Sequence, residues 1–289
     1  MDRRNFRELL EERWAEGKFV CVGLDSEFTK IPEAAHRPGV GVGVDPANTI
    51  VAFNRAIVEV THDLVCAYKP NVAFYEAYGP EGMMALQQTI ADIHAIAPDV
   101  PVILDAKRGD IDNTNLGYVA AAFDYLEADG ITVHPYLGAE SLQKFLACTE
   151  KGIFVLCLTS NSGAGEFQRL ILKNDEPLYR FVARRVASEW NKNNNCGLVV
   201  GAMYPDELSE VRGLVGDMPI LMPGVGFQQK DVPLEKQVEQ VVSAGKDSRG
   251  RGMVVNSSRG IIFALKGADF AEAARRETQR LHDLINRFR

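Results

Sequence analysis

Residues 101–114 read PVILDAKRGDIDNT, an apolar run that ends in Asp105, Lys107, Arg108, Asp110 and Asp112. Along an extended strand alternate side chains share a face, so Asp105 and Lys107 project together with Ile103, while Val102 and Leu104 take the other side. Asp110 falls in the turn that follows. A lysine held between carboxylates stays protonated and oriented, which suits a group that must steady a developing anion and then deliver a proton. Two other apolar runs also end in charge: FVCVGLD at Asp25, and LVCAYKP beside Lys69. The alternative is a rim of structural ion pairs. Exposed pairs contribute only about 0–1 kcal/mol, and buried ones often add nothing. Stability alone therefore gives little reason to set two acids and a lysine at one strand end.

A second group of residues suits an anion. MPGVGFQQ (222–229) has glycines that permit close backbone approach, and Gln228 adds an amide; NSSRGI (256–261) places Arg259 at the start of a short helical stretch. Backbone N–H groups, a helix dipole and a guanidinium together fit a phosphate dianion. Two ordinary glycine turns with a solvated arginine would look the same. TSNSGAGEF (159–167) offers hydroxyls and amides to a heterocycle, or else caps a helix; both readings stand. His134 is expected to be a packed, hydrogen-bonded histidine, and Phe74, Tyr75 and Tyr78 to be packing residues. No HxH, HExxH or acidic cage is present, so neither a metal nor another cofactor is expected.

The elements that must position these groups are legible as apolar runs. They span 19–25, 64–70, 100–107, 130–135, 152–160, 197–203, 219–226 and 252–258, each short, rich in Val, Ile and Leu, and without polar alternation. Such runs suit parallel strands buried on both faces. Helical spacing fills the gaps: Asp45 caps a helix that opens at Pro46, and similar stretches cover 81–96, 114–127, 139–149, 176–192, 205–212, 232–243 and 270–288. Eight strands alternating with eight helices predict a (β/α)8 TIM barrel, one domain over residues 1–289. An open doubly wound sheet would usually have fewer strands and a glycine-rich first turn, whereas LDSEFTKIPE follows the first run here. In a barrel the functional groups gather at the C-terminal strand ends, where these charges lie.

Composition sets outer bounds. The chain has 289 residues, 25% charged, with a formal net charge of −7. That balance argues against nucleic-acid partners but leaves room for a local anion site. None of the five cysteines forms a CxxC pair, and buried, reduced thiols are expected, hence a cytoplasmic protein. No apolar stretch is long enough to span a bilayer. The first residues form an amphipathic helix with Phe6, Leu9, Leu10 and Trp14 on one face. Two glycine-rich loops, 36–46 and 243–252, look like surface excursions.

Taken together, GLD, YKPN, DAKRGDIDNT, TVHPYLG, TSN, PGVG and SSRGI, in that order along almost the whole chain, resemble the orotidine 5′-phosphate decarboxylase family in its longer bacterial form. DAKRGD looks like the family's Asp-x-Lys-x-x-Asp motif. Related barrels that use this motif for metal-dependent sugar-phosphate chemistry place a metal-binding Glu where this chain has Lys69. The resemblance implies decarboxylation of orotidine 5′-phosphate to UMP, without a cofactor. It implies that Lys69, Asp105, Lys107 and Asp110 form a charged array under the reacting carbon. Asp25 and Thr114 would bind ribose hydroxyls, Ser160 the pyrimidine edge, and Gln228 and Arg259 the phosphate. Asp110, Ile111 and Thr114 would reach the neighbouring subunit's site in a homodimer. Asp112 stands where relatives often carry glycine, and Ser162 where many carry proline. A metal-dependent lyase and a non-catalytic nucleotide-binding barrel remain as rival readings.

Overall fold

All eight apolar runs become parallel strands: β1 Val20–Leu24, β2 Val65–Pro70, β3 Ile103–Arg108, β4 Gly130–Val133, β5 Gly152–Leu158, β6 Cys196–Val200, β7 Ile220–Pro223 and β8 Met253–Ser257. The computed structural model describes residues 4–39, 43–226 and 231–289. The strands form one sheet in the order β2-β1-β8-β7-β6-β5-β4-β3. It closes between β2 and β3 through the bridges Tyr68–Val102 and Asn71–Asp105. The fold is a (β/α)8 barrel. Every residue of β1, β2, β4, β6 and β8 is buried. Covered on both faces, such strands need no polar alternation.

A helix follows each strand. Pro46–Thr61 comes after β1, with the Asp45 carboxylate accepting the Asn48 N–H at 3.0 Å, as its Asp-Pro start predicts. Gly79–Ile96, Asp112–Val119, Gly138–Leu146, Leu178–Arg185, Pro205–Val215, Leu234–Gly245 and Phe270–Phe288 follow in turn. No helix among the described residues is long and apolar enough to cross a membrane.

The helix Phe6–Ala15 sits across the end of the barrel where the strands begin. Phe6 packs edge-on against Phe154, and Trp14 Nε1 donates to the Met253 carbonyl at 2.8 Å. A side chain on Gly152 would meet the Phe6 ring at 2.5 Å, so glycine is required there. The buried face differs from the apolar stripe in one member. Leu9 is only half-buried, while Arg13 is enclosed because its Nε donates to the Val65 carbonyl at 2.8 Å. Part of the 243–252 loop anchors this helix. Asp247 accepts the N–H groups of Arg249 and Arg251, and both arginines pair with Glu11.

Asp112 has φ +40°, in the left-handed region. A residue with a Cβ costs about 1–2 kcal/mol there, whereas glycine adds about 0.5–1 kcal/mol of chain entropy. Asp112→Gly is therefore expected to stabilise the protein by up to about 1 kcal/mol, a rise in Tm of about 2–4 °C for a domain this large. A thermal melt reads it, and a lower Tm would show that the carboxylate itself holds the turn.

Candidate active site

The neighbouring ends of β1, β2 and β3 bring their charges together. Lys69, only 3% exposed, donates from Nζ to Asp105 Oδ2 at 3.0 Å and lies 3.8 Å from Asp25 Oδ1. Lys107 Nζ donates to Asp105 Oδ1 at 2.6 Å. Burial works against the charge on Lys69, but the Asp105 and Asp25 carboxylates outweigh it and hold the lysine above its ordinary value. Burial would likewise raise Asp105, yet the Lys69 and Lys107 cations keep its carboxyl well below the usual range. At neutral pH the pair is ionised. The buried Oδ1 of Asp25 has no hydrogen-bond partner among the described residues.

Lys107 does not reach this cluster by simple strand alternation. The register of β3 against β4 shifts, so that Leu104–Arg108 is matched by only Ile131–Val133. Within that bulge Lys107 adopts φ +48°. Asp105 and Lys107 still meet, as their spacing predicts, but the backbone distortion is what aims the lysine. The backbone N–H groups of Ala106 and Lys107 both donate to Thr132 Oγ1, at 3.1 and 2.9 Å.

The cluster forms one wall of a cleft of about 410 Å³, with apolar lining from Leu156, Val199 and Leu221. Ser160 and Arg259 line it too, so the charged strand ends and the predicted phosphate loop share one space. The Gln168 side chain shapes the Ser160 segment: its Oε1 accepts the Thr159 N–H at 2.7 Å, and its Nε2 donates to Thr159 Oγ1 at 2.8 Å. A Cβ on Gly201 would lie 2.9 Å from that of Ser160, so only glycine lets β6 approach this segment. Beyond β7, the Ser257 hydroxyl donates to the Val225 carbonyl at 3.0 Å, and the Gly226 N–H donates to Gln237 Oε1 at 3.0 Å. Arg259 is exposed and opens the short helix Arg259–Ile262. Among the described residues no group of three or more His, Cys, Asp or Glu side chains is placed to hold a metal ion.

A family model described as "Orotidine 5'-phosphate decarboxylase / HUMPS family" matches residues 19–276. The chain belongs to this family. It is 47% identical over 260 residues to the orotidine 5′-phosphate decarboxylase of Herpetosiphon aurantiacus, covering 90% of each chain. To that of Cellvibrio japonicus it is 44% identical over 283 residues, 98% of each. The solved OMP decarboxylase of Leishmania donovani superposes with a TM-score of 0.79 at 37% identity, covering 97% of this chain and 98% of that one.

Within this family member, Asp25, Lys69, Asp105, Lys107, Ser160 and Arg259 share one cleft. Gln228 lies outside the described residues. Asp110, Ile111 and Thr114 are not among the residues lining the cleft of their own chain. The Asp110 N–H donates to Asn115 Oδ1 at 3.0 Å, and its carboxylate accepts the Ile111 N–H at 2.7 Å. Ile111 is 62% exposed, and Thr114 is also exposed. His134 Nε2 lies 3.0 Å from the Gly109 carbonyl, and Tyr75 is fully buried, in keeping with their packing roles. Thr132 and Gln168 were not marked by spacing. A hydroxyl in the otherwise apolar GITV run was the available sign of Thr132; nothing local distinguishes Gln168.

Proposed function

We propose that the protein converts orotidine 5′-phosphate to UMP and CO2, the last step of de novo pyrimidine synthesis, acting as a carboxy-lyase without a cofactor. The observation that carries this reading is Asp105 gripped between Lys69 and Lys107 in a cleft that also holds Arg259. Cleavage of the bond from C6 to the carboxylate releases CO2 and leaves the electron pair on C6. The Lys107 ammonium is the preorganised cation for that carbanion, and it then transfers a proton to C6 to complete UMP. Asp105 stands near the departing carboxylate and disfavours it, while Lys69, buried beneath, keeps Asp105 ionised and in place.

Binding is shared around the cleft. Asp25 lines the cleft, and its carboxylate suits a ribose hydroxyl, which has a proton to donate. Ser160 meets the pyrimidine edge, and Arg259 with Gln228 takes the phosphate. Phosphate binding far from C6 supplies energy for assembling the site. The exposure of Ile111 and Thr114 supports a homodimer in which they and Asp110 complete the partner's site. Five free cysteines support a reducing, cytoplasmic setting.

The test is an ultraviolet assay of purified protein with orotidine 5′-phosphate in excess EDTA. Conversion to UMP at an undiminished rate is the expected result. Binding of UMP without turnover would leave only a nucleotide-binding barrel, and activity abolished by EDTA would point to the metal-dependent relatives.

A further inference from the structure

The bulge in β3 creates a local problem in hydrogen bonding. Two successive N–H groups, those of Ala106 and Lys107, point at β4 where the ladder has slipped out of register. Left unsatisfied against buried β4, they would carry a cost. Thr132, 1% exposed on β4, meets both with one hydroxyl oxygen, at 3.1 and 2.9 Å. A hydroxyl has two lone pairs and one proton. With both lone pairs taken, its proton has one direction left, and Asp105 Oδ1 accepts it at 2.9 Å.

We infer that Thr132 is a positioning residue for the Asp105–Lys107 pair, an inference that rests on the decarboxylase reading above. Its hydroxyl does two things at once. On the backbone it secures the left-handed conformation of Lys107 at φ +48°, which an L-residue avoids unless its surroundings impose it. On the side chains it fixes the Asp105 carboxylate together with the two lysines: Lys107 and Thr132 share Oδ1, and Lys69 holds Oδ2. Asp105 therefore cannot rotate to follow Lys107, and Lys107 cannot relax its backbone without breaking a bond to Thr132. Thr132 also lines the cleft, but its hydroxyl is saturated by protein groups, so its part is to hold geometry and not to bind substrate.

Valine has nearly the shape of threonine and lacks the hydroxyl. In Thr132→Val, kcat should fall about 10–100-fold, since a displacement of about 1 Å at reacting groups costs about 10²-fold. KM and the affinity for UMP should stay within about twofold, because the ribose, base and phosphate contacts are elsewhere. Thr132→Ser, which keeps the hydroxyl, should recover most of the rate. Should the valine variant fail to fold, Thr132→Ser and Thr132→Ala form the second comparison, with serine about 10–100-fold the faster. Wild-type kcat in Thr132→Val, a serine variant as slow as the one without a hydroxyl, or a loss confined to KM would each overturn the assignment. Wild-type protein in the same assay separates the two questions, since its failure to turn over would sink the decarboxylase reading itself.

Discussion

Lys107→Ala is expected to lose at least about 10⁴ in kcat while still binding UMP. Loss of a general acid alone costs about 10²–10⁴, and removing a preorganised electrostatic partner of the transition state costs about 10²–10³. The two effects sit on one ammonium and are not simply additive, but both act on the chemical step. The binding groups around Ser160 and Arg259 lie on β5 and β8 ends that the substitution does not touch. Lys107→Arg should be nearly as slow, because a guanidinium keeps the charge but is a poor proton donor at neutral pH. Steady-state rates, with UMP affinity as a control for folding, read the outcome. An alanine variant that keeps a tenth or more of wild-type turnover would remove Lys107 from the mechanism.

The second large effect is a gain. If Asp110 serves the partner's site, Lys107→Ala and Asp110→Asn homodimers are both inactive, because each has two damaged sites. In a mixed dimer one site carries both lesions and the other carries neither. Random pairing makes about half of the dimers mixed, so about a quarter of wild-type activity should return in the unfractionated mixture and about half in the purified mixed species, from two inactive parents. Co-expression of differently tagged chains, purification of the mixed species and a turnover assay test this directly. A mixed dimer as inactive as its parents would place Asp110 and Lys107 in the same chain's site, against the outward course of residues 110–114. The exposed apolar side chains of Ile111, Leu116, Tyr136 and Leu137, on the segments after β3 and β4, are where such a partner would sit.

Much of this was legible along the chain because barrel periodicity is local. Each strand is a short apolar run, each helix a stretch with apolar residues at helical spacing, and the end of a strand is a position in sequence before it is a position in space. Lys69, Asp105 and Lys107 could therefore be set at one mouth from their runs alone, and Asp25 and Arg259 with them. The family resemblance marked Asp112 as standing where relatives often carry glycine, and its left-handed φ agrees.

Tertiary structure decided the rest, wherever a residue's role depends on a partner distant in sequence. Spacing set Lys107 beside Asp105, but what aims it is a bulge that only the mismatch with β4 creates. Thr132 is invisible as a site residue until that mismatch leaves two N–H groups facing it. Gly201 is one glycine among 25 until Ser160 is seen against it. The N-terminal stripe placed Leu9 on the apolar face, yet Leu9 is only half-buried and Arg13 is enclosed, because the Val65 carbonyl is there to receive it. Composition and spacing determine which groups a strand end carries; the register between strands, which no single run encodes, determines how they are held.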